Sequence, residues 1–397
     1  MPTSNLARRI ASVPRPHDNN NPLWQGPCGA GPLGGITQSM IVRFLSCRER
    51  FRLKYVLGLE PHDKWNHRLG YGNMWHVCEE VYAATIRDEY GRPDRSWRDA
   101  LQNHCMEVSH GRPPSECEDI AKWMNVCFVQ FPEYVRYWAD HPDVKNRTPL
   151  MQEQVFDVPY TLPSGRVVRL RGKWDSVDLI ADPDQPQGIY LQENKTKGDI
   201  DKLQVERQLK FDLQTMLYII ALSIGYSQHD VVSQVGIDEM LVQAVDEDGI
   251  QGVRYNVVRR PLSGGVGSIR PHAAKATKTK ITPAETAEQF YERLRRDYIA
   301  ADPAHWFFRV RVEISTNDMQ VFRKTCLDPL LETVCDWYDE ITNNLGWTKA
   351  YGVMNYRTPF GVYSALEEGG ATEYDAYLET GSEAGLRRVE SLFGELQ

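Results

Sequence analysis

The sequence predicts an α/β fold: a mixed central sheet flanked by helices, with a large N-terminal helical region and a C-terminal helical extension. Helical spacing of apolar residues dominates the first third of the chain. Residues 150 to 260 instead alternate or cluster β-branched and aromatic residues, as strands do. A helical pattern at about 202 to 225 interrupts these strands, which is typical of a sheet with that helix packed on one side.

Four regions are predicted along the 397 residues, which exceed the roughly 100 to 200 residues of a typical domain. Residues 1–35 are rich in Pro, Gly and Asn without periodicity and predict a disordered tail. Residues 36–150 form the N-terminal helical region and 151–260 the core. Residues 261–397 hold a basic loop and the C-terminal helical region.

Individual elements follow from capping, turn and periodicity signals. Thr37 is a candidate N-cap for a first helix that Gly58 ends. The segment Pro-Ser-Gly at 163 to 165 predicts a hairpin turn in the core. The predicted helices lie at about 74–88, 95–140, 202–225, 283–300 and 317–344, and the strands at about 155–158, 167–180, 188–195, 235–244, 252–259 and 306–314.

Composition narrows the class of protein without deciding its substrate. A net charge of −8 argues against an RNA-coating or histone-like protein, although local basic patches remain compatible with nucleic-acid contacts. The longest apolar run, 216 to 226, is shorter than the roughly 20 residues that cross a bilayer. The eight cysteines lack a Cys-x-x-Cys pair. We therefore expect a cytoplasmic protein with reduced thiols and no membrane contact.

Three charged residues occupy strand positions where core residues are expected. Asp175 shares the strand parity of Val177 and Leu179, while Glu193 and Lys195 share that of Ile189 and Leu191. Isolated buried charges are costly and normally persist only when they are paired or bound to metal. The placement indicates a site, whereas the alternative is a strand that emerges into solvent, where Glu-x-Lys triplets are common.

Two helices carry further polar side chains at a spacing of four. His76 lies between Gly72 and Glu80 on one predicted helical face, and its imidazole is able to complete a metal's coordination shell. Gln214 and Tyr218 share a face of the helix after Lys195. Taken singly, each is more often an ordinary structural residue.

The order of these motifs resembles the RecB-like branch of the PD-(D/E)XK nuclease superfamily, in particular stand-alone phage and CRISPR-associated RecB-type exonucleases. The resemblance implies a restriction-endonuclease-like sheet and a metal-dependent deoxyribonuclease, an exonuclease of phage or bacterial recombination, repair or defence. The motifs that carry it are Cys47 to Tyr55, Gly72-x-x-x-His76, Gly172-x-x-Asp175, Glu193-x-Lys195 and Gln214-x-x-x-Tyr218.

The resemblance also implies roles for individual residues. His76, Asp175, Glu193 and the backbone carbonyl of Asn194 would hold one or two Mg²⁺ or Mn²⁺ ions. Lys195 would orient or deprotonate the attacking water, and Gln214 and Tyr218 would organise the site and contact the DNA end. Many relatives hold an iron–sulfur cluster, but this chain has only Cys47 in a matching place and lacks the C-terminal cysteines. No cluster is expected.

Glu153 is a weaker candidate for an acid in or beside the metal site. It lies on a predicted strand that leads into the core. An exposed strand charge is the interpretation we favour for it.

A basic segment supplies candidate DNA contacts. From residue 254 to 280 the chain has seven cations and no acid, and it is either a loop that binds the DNA backbone or a solvated disordered loop. Arg48 belongs to a second basic cluster, whose cations mostly face water. The candidate DNA-binding residues are Arg48, Arg254, Arg259, Arg260, Arg270, Lys275, Lys278 and Lys280.

Two other functions remain open from the sequence. One is a catalytically silent DNA-binding scaffold, which intact Asp175, Glu193 and Lys195 argue against. The other is a metal-dependent hydrolase of a different phosphate, which the absence of a Gly-x-x-x-x-Gly-Lys cradle makes less favoured. No helicase motif is present, so a helicase or recombination partner would have to supply unwinding. The oligomeric state is left open.

Overall fold

A computed structural model describes residues 22–62, 64–87, 96–181, 187–203, 209, 212–227, 249–263, 268–276, 281–342 and 371–396. Over these ranges the chain forms a five-stranded mixed sheet flanked by helices, which confirms the predicted fold class. No helix in the same ranges combines the length and apolar content required to cross a membrane.

The N-terminal region is helical, but its first helix is broken. Thr37 caps it as predicted, because its side chain accepts a hydrogen bond from Met40 N. Cys47 then adopts an extended conformation (φ −163°), which divides the predicted helix in two. The elements here are α1 (Gln38–Ser46), α2 (Arg48–Phe51, continued by a π-helical turn at Arg52–Val56), β1 (Leu59–Pro61), α3 (His67–Arg87), α4 (Trp97–Ser109), α5 (Pro114–Trp138) and α6 (Pro142–Lys145).

The central sheet has the strand order β2-β3-β4-β5-β8. Neighbouring strands are antiparallel except β4 and β5, which are parallel and have α7 between them in the chain. The predicted strand at 235–244 lies outside the described residues. The elements are β2 (Arg147–Thr161), β3 (Val167–Ile180), β4 (Gly188–Lys197), α7 (Leu213–Ser227), β5 (Ile250–Arg259), β6 (Lys275–Ala276), β7 (Ile281–Thr282), α8 (Ala287–Arg293, continued by a π-helical turn at Leu294–Ile299), α9 (Pro303–Trp306) and β8 (Phe307–Glu313).

The C-terminal extension returns to the N-terminal region. The predicted long helix is observed as α10 and α11, which a π-helical turn at Arg323–Leu327 joins. The short strand β9 pairs with β1 in a separate two-stranded sheet. The remaining elements are α10 (Thr316–Phe322), α11 (Asp328–Thr342), α12 (Ala371–Thr380), β9 (Leu386–Arg388) and a 3₁₀ turn at Gly394–Leu396.

Two apolar clusters cover opposite faces of the sheet. Val257 belongs to the cluster that includes Leu217 of α7. Its neighbour Val258 belongs to the cluster that includes Trp75 of α3. Since successive side chains of a strand point to opposite faces, α7 and α3 lie on opposite faces of the sheet.

Residues 22–35 do not form part of a disordered tail, so this portion of the prediction is wrong. Trp24 is fully buried, donates a hydrogen bond to Gly35 O (2.8 Å) and makes edge-on ring contacts with Phe51 and Tyr338. Gly26 adopts φ +81° beside the Tyr338 ring, where a Cβ atom would be 2.5 Å from that ring. The glycines here permit tight turns around a buried indole. Residues 1–21 lie outside the described ranges.

Candidate active site

A cleft of about 460 Å³ brings together side chains from α3, β2, β3 and α7. Thr37 and Ser39 at the start of α1 and Leu392, Phe393 and Leu396 near the C-terminus complete its wall. The candidate site residues His76, Glu153, Asp175, Gln214 and Tyr218 lie in its lining, as does Glu80 on the same helix as His76.

His76, Glu153 and Asp175 form a candidate metal centre. One ligand atom from each lies within 4.8 Å of the other two. The His76 Nδ1 atom is 3.0 Å from Glu153 Oε1 and 3.7 Å from Asp175 Oδ1. Two carboxylates and one imidazole in a polar cleft are a donor set that suits a divalent cation. His76, Glu153 and Asp175 therefore fit a bound divalent cation.

Glu153 lies in the cleft, so its favoured interpretation as an exposed strand charge is wrong. Its side chain is 15% exposed and also pairs with Lys173, whose Nζ is 2.7 Å from Glu153 Oε2. Its backbone has φ +47°, a left-handed conformation that no other non-glycine residue of the described ranges adopts. Such strained positions cluster at functional sites.

The hairpin register explains why Glu153 meets Asp175. The β2–β3 pairs Gln152–Ser176 and Gln154–Trp174 place Glu153 opposite Asp175. The hydrogen bond from Leu162 N to Arg166 O, next to the turn, follows the same register. Counting back from the predicted turn would therefore have identified this acid from the sequence.

Asp175 lies where β3 and β4 separate. Their ladder ends at the pair Ser176–Gln192, and beyond it the Asp175 carboxylate accepts a hydrogen bond from Asn194 N (2.8 Å). The Asp175 carboxylate thus takes the place of a backbone carbonyl as the acceptor for the Asn194 N–H. This hydrogen bond holds the carboxylate at the point where the two strands separate. Gly172 on the same strand is required for close packing, because a Cβ atom there would be 2.5 Å from the Phe156 ring.

Glu193, Lys195 and Gln214 form a hydrogen-bonded triangle. Lys195 Nζ donates to Glu193 Oε2 (2.8 Å) and to Gln214 Oε1 (2.9 Å), and Gln214 Nε2 donates to Glu193 Oε2 (2.9 Å). Glu193 is 1% exposed, so the alternative of a strand emerging into solvent does not hold for it. Glu193 and Asn194 lie outside the three-residue group around His76.

The charged groups of the site shift one another's pKa. Burial raises the pKa of Glu193 to about 7, although Lys195 opposes that shift. Burial alone would lower the pKa of His76, but the Asp175 and Glu153 carboxylates outweigh it and raise this pKa to about 9. The pKa of Lys195 is likewise raised, because Glu193 and Asp175 outweigh burial. Without a cation, the acids are therefore balanced by an imidazolium and an ammonium.

Tyr218 is almost fully buried and forms part of the cleft wall. Its ring packs edge-on against Phe156, and its backbone carbonyl accepts a hydrogen bond from Trp174 Nε1 (3.2 Å). Gln214 and Tyr218 thus lie on one face of α7, as their spacing predicts.

Arg254 is not available to DNA, and its prediction as a DNA contact is wrong. It is fully buried in β5, where its guanidinium pairs with Asp178 (2.8 Å) and contacts Gln192. Arg147 pairs with the same Asp178 carboxylate (2.8 Å). The first part of the basic segment is thus the core strand that is predicted at 252–259, and it carries a buried ion-pair network.

The other candidate cations occupy varied environments. Arg259 contacts Asp199 and His305, and Arg260 donates to Thr196 O (2.9 Å). Arg48 lies over the Phe44 ring, 5.0 Å from its centroid. Arg270 and Lys275 are exposed, and Lys278 and Lys280 lie outside the described residues.

Sequence reasoning missed a layer of buried polar residues on the α3 side of the sheet. Those on strands lie on the face of the sheet opposite to Glu193 and Lys195, and Glu79 reaches them from α3. The only sequence signal is that polar residues also alternate on this second face, as Gln192 and Asn194 do. The layer contains Glu79, Arg147, Ser176, Asp178, Gln192, Asn194, Arg254 and Asn256.

Residues 36–311 match the PD-(D/E)XK nuclease superfamily. The matched region runs from the start of α1 into β8 and includes every residue of the candidate metal centre. Proteins of that superfamily are metal-dependent nucleases, and the donor set in the cleft agrees with such chemistry. No curated protein matches the chain significantly.

Proposed function

We propose that this chain, which belongs to the PD-(D/E)XK nuclease superfamily, is a metal-dependent exonuclease that hydrolyses phosphodiester bonds of DNA. The observation that carries the proposal is a metal-binding cluster in the cleft, together with a paired lysine that contacts the cleft residue Gln214. His76, Glu153 and Asp175 supply the cluster, and the ammonium of Lys195 is held beside Glu193.

The same residues would hold the cation. His76, Glu153 and Asp175 are the proposed ligands, with Glu193 as an acid that shares the charge of the site. Oxygen ligands suit Mg²⁺, and an imidazole is more readily accepted by Mn²⁺. When bound, a divalent cation polarises a phosphate oxygen and lowers the pKa of a bound water.

Lys195 is the proposed catalytic cation. Its Nζ donates to both Glu193 and Gln214, so the mobile side chain is restricted to one position. From there the ammonium can orient the attacking water and offset negative charge that develops on the phosphate. Gln214 supports this role because it contacts the acid and the amine at once.

The proposed absence of an iron–sulfur cluster rests on the missing C-terminal cysteines, which leave Cys47 without partner ligands. Cys47 is 1% exposed and belongs to a small apolar cluster with Leu53 and Tyr374. A thiol packed in this way serves the connection between α2 and the C-terminal region. Residues 351–370, which belong to the C-terminal region that lacks the expected cysteines, lie outside the described residues.

The finer assignments rest on the resemblance to RecB-type exonucleases. We place the protein in phage or bacterial DNA recombination, repair or defence, in the cytoplasm, with a helicase or recombination protein as a partner that exposes strand ends. Arg270 and Lys275 remain proposed contacts to the DNA backbone, since both are exposed.

Cleavage of linear and circular DNA tests the proposal. Purified protein is incubated with Mg²⁺ or Mn²⁺ and with linear DNA labelled at the 5′ or the 3′ end, and in parallel with closed circular DNA. We expect degradation of the linear DNA alone, and the label that is released first gives the polarity. Cutting of circular DNA would contradict an exonuclease, and no cleavage of either substrate would favour a silent DNA-binding scaffold.

A further inference from the structure

We infer that Asn256 is a positioning residue that connects the catalytic strand β4 to helix α3 on the α3 face of the sheet. The inference rests on the proposed nuclease function and adds a residue outside its cleft. Asn256 lies on β5, is fully buried and is absent from the lining of the cleft.

One amide group connects the two elements. Asn256 Nδ2 donates to Asn194 Oδ1 of β4 (2.9 Å) and to Glu79 Oε1 of α3 (3.4 Å). An amide nitrogen carries two hydrogens, so the two contacts use its full donor capacity. Gln192 Nε2 also donates to Asn194 Oδ1 (3.3 Å), but it lies on β4 itself, so Asn256 is the donor that links Asn194 to α3. Asn194 and Glu79 are only 6% and 3% exposed, and water cannot readily replace Asn256 between them.

The Asn194 end of the contact leads directly to the proposed catalytic groups. Asn194 lies between Glu193 and Lys195, and its side chain points to the opposite face of the strand. Its backbone N–H also fixes the Asp175 carboxylate. A shift of Asn194 would therefore move three groups of the site together.

The Glu79 end of the contact leads to the proposed metal ligand on α3. Glu79 follows His76 by three residues, so both lie on neighbouring positions of one helical face. The contact to Asn256 fixes the height of this turn of α3 above the sheet, and with it the distance from His76 to Glu153 and Asp175. Partners behind ligands commonly change metal affinity or activity by about 10- to 100-fold when they are removed.

Replacing Asn256 tests the inference. Asn256→Leu keeps the branched shape of the side chain but removes both donors, and Asn256→Ser keeps a small donor if the leucine variant does not fold. The matched control is Val258→Ala, which is buried two residues further along the same face of β5 and has no polar contact to lose. Each protein is studied well below its own melting temperature.

Two readouts separate positioning from a purely structural role. We expect Asn256→Leu or Asn256→Ser to lower the single-turnover cleavage rate at saturating Mn²⁺ by about tenfold or more. In a binding titration without DNA, the Mn²⁺ concentration that half-saturates the protein should rise by about the same factor. Val258→Ala should lower the melting temperature and leave both values at the wild-type level. Asn256 variants that lose only melting temperature would overturn the inference.

The Mn²⁺ titration also separates this inference from the proposed function. If the wild-type protein binds Mn²⁺ but cuts no DNA, the proposed function fails, and weaker binding by the Asn256 variants still supports the positioning role. If the wild-type protein does not bind Mn²⁺, both are contradicted.

Discussion

Cation affinity should increase steeply with pH, because protons compete for the same groups. Metal ligands act as neutral imidazole and ionised carboxylate, so binding must displace protons from His76 and from the acids. In the metal-free protein the pKa of His76 is raised to about 9 by Asp175 and Glu153 against the effect of burial, and burial raises that of Glu193 to about 7. Both groups are therefore partly or largely protonated near neutral pH.

The magnitude follows from these two values. At about pH 7 roughly 1% of His76 is neutral and about half of Glu193 is ionised; at about pH 8 these fractions are roughly 10% and 90%. If binding requires both groups to be deprotonated, the competent fraction rises by roughly fifteenfold over that interval. The apparent Kd should fall by a similar factor and level off above about pH 9.

Calorimetric titration with Mn²⁺ measures this dependence. Repeating the titration in two buffers with different heats of ionisation gives the protons released, which should be about one per cation near pH 8. His76→Gln should abolish most of the dependence above pH 7.5 while leaving the part that Glu193 contributes. Equal affinity at pH 7 and 8, without proton release, would refute the reasoning.

Three further predictions concern stability and thiol chemistry. Asp178→Ala should lower the free energy of unfolding by about 3–5 kcal/mol in urea denaturation, because it leaves two buried arginines uncompensated; a loss below about 1 kcal/mol would argue against the buried network. Trp24→Ala should cost about 3–5 kcal/mol and make residues 22–35 sensitive to limited proteolysis, whereas unchanged stability would favour a loose segment. The hydrogen bond from Cys335 lowers the pKa of Cys28 to about 7, whereas burial raises the pKa of Cys326. Iodoacetamide should therefore alkylate Cys28 well before Cys326, with a rate that rises with pH through about 7. Peptide mass spectrometry measures both rates, and equal rates near pH 7 would contradict this.

Local patterns were sufficient to predict much of the sheet. The strand predicted at 167 to 180 is observed as Val167–Ile180, because apolar residues alternate along most of its length and a hairpin turn precedes it. Glu193 and Gln214 meet because the spacing along one strand and one helix already fixes which faces they present. The fold class followed from the same alternation of strands and helix.

Long-range partners could not be predicted in the same way. Arg254 looks like a DNA contact in a segment without acids, but its partner Asp178 is 76 residues earlier in the chain, on another strand. Trp24 stands in a segment rich in Pro and Gly, and its burial depends on Tyr338 far along the chain. A composition signal cannot show which distant group compensates a charge or covers a ring.

Cleavage by Lys195→Ala is the most direct test of the central claim. We expect the variant to lose at least about a hundredfold in single-turnover cleavage of linear DNA with Mg²⁺ or Mn²⁺, because the group that orients the water and offsets phosphate charge is gone. Its affinity for the DNA, measured without cleavage in Ca²⁺, should stay near the wild-type value. A purified Lys195→Ala protein that cuts DNA at the wild-type rate would contradict the account.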